Sequence, residues 1–371
     1  MKISVITRHA VANYGSLLQA IATQKIIEKT GNECEIIDYL RDDEKLGNCT
    51  FTLAKADSKW SKNKIIYVLY CIVRYPENYL ANKKFERMQR QYLNLSKRYR
   101  SLEELKNSKP HADIYMTGSD QVWGKIMCGK YDSAYMLSFC NQLDKKVSYA
   151  ASFGNITIDA DYEKKMLSLL KQYSQITVRE SNAVEILNEK GILAKQVLDP
   201  TLMLNSNEWR ENLKIKKNEK KEKRYVLVYQ IHNNSELCRY AKNFAKEVGL
   251  PLVRTSAMLH QFNKGGKFVA LPDLKKFIEL IDNAAWIVTD SFHGTAFAIN
   301  FNIPFVTLMP NTGTKSRNLS ILKLTQLEEQ IVHNTDDYSK KDKVVDFSYA
   351  NEILERERKK SYEILKKLFE V

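Results

Sequence analysis

Residues 286–306 read WIVTDSFHGTAFAINFNIPFV. An apolar run ends in Thr289-Asp290-Ser291, a lone His293 stands beside Gly294, and apolar residues then resume. The pattern spells a strand, a small-residue turn, a helix over 294–300 and a further strand at PFVTLM (304–309). That is one step of a parallel α/β sheet, whose ligands gather outside the carboxyl ends of the strands. A helix starting near Gly294 presents free N–H groups that attract phosphate or carboxylate. His293 is then either a proton donor or phosphate ligand, or a packed side chain behind a cap formed by Asp290 or Ser291.

Working outward, the same alternation recurs. YVLVYQIH (225–232), a helix at 235–248, PLVRTS (251–256) and a helix at 273–283 precede the quoted stretch. Upstream, Lys2–Thr7 is a β-branched run, a turn surrounds Asn13–Ser16, LLQAIATQKIIEKTG is helical and stops at Gly31, and CEIIDYL (34–40) is extended. ADIYMTGSDQVW (112–123), KKVSYAASFG (145–154) and QITVRE (175–180) read as strands ending in loops, with helices over 161–173 and SNAVEILNEKG, and KQVLDPTLML (195–204) after them.

Two segments break the alternation. Residues 58–107 are basic, aromatic and helical, and KIKKNEKKEKR (214–224) is almost all charge, as a solvated linker would be. The chain therefore reads as an α/β lobe over 1–213 with a helical insertion, a linker at 214–224, a second α/β lobe over 225–345 and a terminal helix over 346–371. The expected architecture is two Rossmann-like lobes facing a cleft.

Composition agrees with an ordinary globular chain: 371 residues, 44 % hydrophobic, 27 % charged. The formal net charge of +14 favours an anionic partner. Six scattered cysteines (34, 49, 71, 128, 140, 238) have no CxxC spacing, which points to free thiols in a reducing compartment. The N-terminus lacks the pattern of a signal peptide, and KIIYVLYCIVRY (64–75), the most apolar run, is too short to span a bilayer. A cytoplasmic protein is expected, with neither cofactor nor metal.

Several strand-end loops carry candidate chemistry. Arg179, after QITV, either grips a carboxylate or phosphate bidentately or pairs with Glu180 at the surface. In TGSDQVW (117–123), Gly118, Ser119 and Asp120 form a turn that can hold sugar hydroxyls, and Trp123 can stack on a sugar ring or sit buried behind it. Arg8, His9, Asn13 and Tyr14 follow the first strand. Lys315 and Arg317, in GTKSRNLSIL (313–322), are surface charges or members of an anion pocket shared with His293. The basic stretch 60–100 is a solvated insertion, or a face that lies on an acidic bilayer or holds a lipid-linked acceptor.

NYGSLLQA (13–20), TGSDQVW (117–123), SYAASFG (148–154), VRES (178–181), LDPTLML (198–204), TDSFHGTAFAINFNIPFV (289–306) and KSRNLSIL (315–322) occur in this order. Together they resemble the polysaccharide pyruvyl transferase family, over about residues 3–330. The resemblance implies a fold like that of the GT-B glycosyltransferases, and transfer of the enolpyruvyl unit of phosphoenolpyruvate to a sugar of a surface polysaccharide or its lipid-linked precursor. The product is a pyruvate ketal, and phosphate is released. By the same resemblance His293 and Arg179 attend the donor, and Ser291, Gly294 and Thr295 border it. Asp120 serves the acceptor hydroxyl, beside Asn13, Tyr14, Gly118, Ser119 and Trp123. Some branches carry an arginine where this chain has Ser291, so Lys315 and Arg317 are expected to supply the missing charge. The alternatives are a glycosyltransferase using a nucleotide-sugar and a non-enzymatic anion-binding protein.

Overall fold

The computed structural model describes every residue except 42, 43, 46, 126–130, 155–159, 217–223, 310–314 and 371. The chain divides into two compact units, Met1–Met203 with Lys359–Val371, and Leu204–Arg358. The division falls ten residues before the charged segment at 214–224, most of which lies outside the described residues, and the terminal helix Ser348–Phe369 is shared between the units.

In unit 1, β1 (Lys2–Ile6), β2 (Glu33–Ile36), β3 (Ile114–Thr117) and β4 (Lys145–Ser148) form a parallel sheet in the order β2-β1-β3-β4. β5 (Ile176–Val178) and β6 (Ala194–Gln196) pair in parallel beside it. Bridges from Val147 to Gln175 and from Ala151 to Val178 continue the hydrogen bonding from β4 to β5. The strand order turns back between β1 and β3, so their carboxyl ends flank the position where such sheets open a ligand crevice. β1, β3 and β4 are buried almost throughout, as expected of parallel strands covered on both faces. Helix Tyr14–Glu28 is buried along nearly its whole length.

The region read as a basic insertion is helical: Asn48–Ala56, Ser58–Ser61, Lys64–Tyr92 and Leu102–Ser108. The far end of Lys64–Tyr92 is anchored in the unit. Phe85 is fully buried with its ring 4.9 Å from that of Tyr14, and Gln89 donates to the carbonyl of His9 at 2.9 Å.

In unit 2, β7 (Val226–Tyr229), β8 (Leu252–Ser256), β9 (Lys267–Ala270), β10 (Trp286–Thr289) and β11 (Phe305–Thr307) are all parallel, in the order β11-β10-β7-β8-β9. Val226 and Val228 pack with Tyr240 and Phe244 of helix Ser235–Glu247, while Tyr229 turns to Phe277 of helix Leu274–Asp282 at 5.1 Å. Period-two alternation thus feeds two helical layers. The order turns back between β7 and β10, which puts the 230–234 and 289–294 loops side by side. β9 has no counterpart in the sequence reading. Helix Phe292–Asn300 begins two residues earlier than expected, which places His293 inside its first turn.

Among the described residues no helix is long and apolar enough to cross a membrane. Of the cysteines, Cys34, Cys49 and Cys71 are buried free thiols, Cys140 and Cys238 are free and half-buried, and Cys128 lies outside the described residues.

Candidate active site

Unit 2 assembles its site around β7 and β10. Asp290 is almost fully buried, and its carboxylate accepts from the backbone N–H of Ile231 at 2.9 Å and of His232 at 3.1 Å. Asp290 therefore does not cap its own helix. It ties the carboxyl end of β10 to that of β7, with the His232 imidazole 3.4 Å away. Ser291 is the cap: its Oγ accepts from the Gly294 N–H at 3.3 Å. That bond gives the serine a structural reason at the place where some branches are expected to carry arginine.

Thr289 locks the turn from below, donating to the Tyr229 carbonyl at 2.7 Å and accepting from the Ser291 N–H at 3.0 Å. The helix crosses so close to this threonine that a Cβ on Gly294 would lie 2.3 Å from its Oγ1 and 3.1 Å from the Tyr229 ring. Glycine is required there for space. Gly294→Ala is expected to cost about 1–3 kcal/mol through overpacking, read as a lowered thermal midpoint; an unchanged midpoint would show that the helix start can shift.

His293 is 8 % exposed and meets the Phe292 ring edge-on at 5.1 Å. In the elements that follow, several buried polar groups are under-satisfied. Thr295 Oγ1, Thr307 Oγ1 and both amide atoms of Asn318 have no hydrogen-bond partner among the described residues. They sit on three successive elements: helix Phe292–Asn300, the end of β11 and the first turn of helix Lys315–Thr325. Native proteins leave few such groups unpaired without a functional reason.

Lys315 and Arg317 are separated by helical geometry. They stand two residues apart, about 200° around a helix; Lys315 is exposed and Arg317 is 7 % exposed, beside the buried Asn318. Of the two cations expected to share an anion pocket, Arg317 faces the unit's interior and Lys315 is exposed.

A further cation escaped the sequence reading. Arg254, in the middle of β8, is fully buried, and its Nη1 donates to Gln230 Oε1 at 2.9 Å. Its Nη2 has no hydrogen-bond partner among the described residues. Burial pulls the guanidinium below its ordinary pKa, offset in part by Cys238 and Asp290. Unit 2 thus keeps a positive charge just behind the β7 loop. The signal was an arginine within PLVRTS, directly after the apolar Leu252 and Val253, where a buried strand should be neutral.

Unit 1 builds a different cluster at the ends of β3 to β6. Asp120 adopts a left-handed φ of 74°, an unfavourable conformation that clusters at functional sites. Its carboxylate accepts from Ser16 Oγ at 2.5 Å and from the Gln121 N–H at 2.9 Å. Asn13 caps helix Tyr14–Glu28, its side chain accepting from the Ser16 N–H. Gly118 lies against Thr7 and Val5, where a Cβ would be 3.0 Å from either side chain. Arg8 pairs with Glu44 at 2.6 Å, and fully buried His9 lies 3.3 Å from Asp38.

Here four expectations change. Tyr14, Ser119 and Trp123 are essentially inaccessible, and Trp123 packs against Phe153 and Tyr173, so none of them presents a face to a sugar. Arg179 is the fourth. Its side chain is 3 % exposed, its Nε donates to Glu180 at 3.0 Å and its Nη1 to Asp199 at 2.7 Å. Burial would lower the guanidinium pKa, but the two carboxylates outweigh it and drive it up. Asp199 also accepts from Ser119 and Thr201, and Glu180 from Ser152. The arginine is the hub of a buried network, not an exposed anion grip. Its pairing with Glu180 was foreseeable; its burial was not.

Among the described residues no group of three or more His, Cys, Asp or Glu is placed to hold a metal ion.

Comparison with solved structures shows the kind of fold. The UDP-GlcNAc 2-epimerase of Methanocaldococcus jannaschii is similar over 99 % of either chain (15 % identity, TM-score 0.51). That of Neisseria meningitidis, bound to UDP-GlcNAc, is similar over 99 % of this chain and 100 % of its own (13 %, 0.51). Arabidopsis thaliana UGT89C1 matches over 99 % and 98 % (10 %, 0.47). The fold is the mixed α/β, parallel-sheet kind of the two UDP-GlcNAc 2-epimerases. No curated protein matches the chain. The family model for polysaccharide pyruvyl transferase matches residues 13–312, and the chain belongs to that family.

Proposed function

We propose that the chain transfers the enolpyruvyl unit of phosphoenolpyruvate to two hydroxyls of one sugar in a polysaccharide or its precursor, forming a pyruvate ketal and releasing phosphate. The family supports a transferase acting on a polysaccharide. The observation that carries the donor assignment is the set of buried polar atoms of Thr295, Thr307 and Asn318 that have no partner among the described residues, on the elements that also carry His293 and Arg317. Such groups suit a small, densely charged ligand with many acceptor oxygens.

In the proposed reaction a proton from His293 is added to the methylene carbon of the donor, leaving a cation-like centre at the carbon that bears the phosphate. One sugar hydroxyl attacks that carbon and loses its proton to a base. The second hydroxyl attacks the same carbon, loses its proton, and the carbon–oxygen bond to phosphate breaks. One proton enters and two leave with the two new C–O bonds, so the step balances with the departing phosphate taking up the other. Arg317, the Ser291 hydroxyl hydrogen and the helix N-terminus, with Gly294 at its third position, stabilise the phosphate as its charge grows.

The test is calorimetry with phosphoenolpyruvate and with a panel of nucleotide-sugars. Phosphoenolpyruvate is expected to bind, and Arg317→Met to weaken it by about 10- to 100-fold, the range of a charge-assisted hydrogen bond. Lys315→Ala should leave binding unchanged. Binding of a nucleotide-sugar with indifference to phosphoenolpyruvate would replace this reading with glycosyl transfer.

A further inference from the structure

The first half of helix Lys64–Tyr92 exposes a row of large aliphatic side chains. Ile65 is 71 % exposed, Val68 52 %, Leu69 56 %, Ile72 64 %, Val73 71 % and Leu80 51 %. Cys71, Ala81 and Phe85 lie on the opposite, buried side. At about 100° per residue the exposed set spans an arc of roughly 140°, over some 24 Å of length. Monomeric proteins rarely show water so large an apolar strip without a use for it.

Charge marks both ends of the strip. Lys59, Lys62 and Lys64 are exposed before it; Lys83, Arg87 and Arg90 are exposed after it and continue the row of Ile65, Leu69 and Ile72. Residues 55–90 hold nine lysines and arginines against three acidic residues. Those three are engaged: Asp57 caps Ser58–Ser61, Glu77 pairs with Arg74, and Glu86 with Arg90 and Arg98.

We propose that this helix docks the protein on an anionic bilayer, its apolar strip in the interface and its two basic ends on lipid headgroups. A second copy of the chain suits the surface poorly. Antiparallel or parallel, two such strips would set one cluster of lysines and arginines against another. A helical partner would find Pro76, Lys83 and Arg87 in the seam where apolar residues are needed. An acidic membrane matches both the aliphatic strip and the cations. The helix lies on the bilayer and does not cross it. Its anchored end, through Gln89 and Phe85, touches the loop after β1, so docking would tie unit 1's strand-end loops to the membrane.

The experiment is sedimentation of the full chain with vesicles of phosphatidylcholine alone or with about a third phosphatidylglycerol, alongside sedimentation equilibrium without lipid. The chain is expected to be monomeric in solution and to bind the anionic vesicles at least about tenfold more tightly than the neutral ones, less so at high salt. Replacing Lys59, Lys62 and Lys64 together by Gln should weaken this on the order of a hundredfold, at about fivefold per charge. The double variant Ile72→Asp with Val73→Asp should abolish binding with the thermal midpoint unchanged, since both side chains are exposed. Failure to bind anionic vesicles, equal binding by the charge variant, or a wild-type dimer that the double variant dissolves would each overturn the proposal.

Discussion

The His293→Ala protein is expected to turn over about 10²- to 10⁴-fold more slowly than the wild type, the range supplied by a positioned general acid. Donor affinity should fall by much less. His293 occupies the first turn of helix Phe292–Asn300 and is not needed to hold it: Ser291 supplies the cap, Asp290 ties the loops, and Thr289 closes the turn. The thermal midpoint should therefore change little. His293→Gln separates two roles. Glutamine still donates a hydrogen bond but carries no titratable proton near neutral pH, so it should be as slow as alanine. A glutamine variant with near-wild-type turnover would show that the imidazole only binds phosphate, and an alanine variant with unchanged turnover would remove His293 from the chemistry.

The second large effect is on stability. Arg179→Met would leave Glu180 and Asp199 buried together without their shared cation. Breaking a buried pair in this way costs about 3–5 kcal/mol. Spread over a unit of this size, the thermal midpoint should drop by on the order of 10 °C. Arg179→Lys should recover only part of the loss, since one ammonium cannot reproduce the bonds from Nε and Nη1 to two carboxylates. The opposite outcome, an unchanged midpoint with donor binding lost, would return Arg179 to the role that the family resemblance implies.

These two residues show what was legible in the chain and what was not. The strand-to-helix turn around His293 could be read because β-branched residues, small residues and glycine each impose a local conformation. The same reasoning placed β1, β3, β7, β10 and β11, whose runs are apolar. It passed over β9, since KFVA is a partly exposed edge strand after two glycines and carries no alternation. The helix start moved because Ser291, not Gly294, bounds it. Long-range pairing is harder. Nothing in the spacing announces that Arg179 will meet Asp199, that Ser119 will donate to the same carboxylate, or that Asp290 will reach across to the β7 loop. Those bonds depend on strand order, and burial of Trp123 and Tyr14 likewise follows from which elements cover them.

The division of unit 1 has a consequence for how the protein is made. Its last portion, Lys359–Val371, comes after the whole of unit 2 in the chain. Ser361 accepts from the Leu198 N–H, the Lys367 carbonyl accepts from Gln175, the Lys29 carbonyl accepts from Tyr362, and Leu365 and Leu368 are fully buried. On the ribosome, unit 2 can close as soon as its own segment emerges, whereas the earlier-synthesised unit must wait with an uncovered flank until this final stretch arrives. Order of synthesis and order of completion are reversed, and chaperone demand should concentrate on the half of the molecule that is translated first.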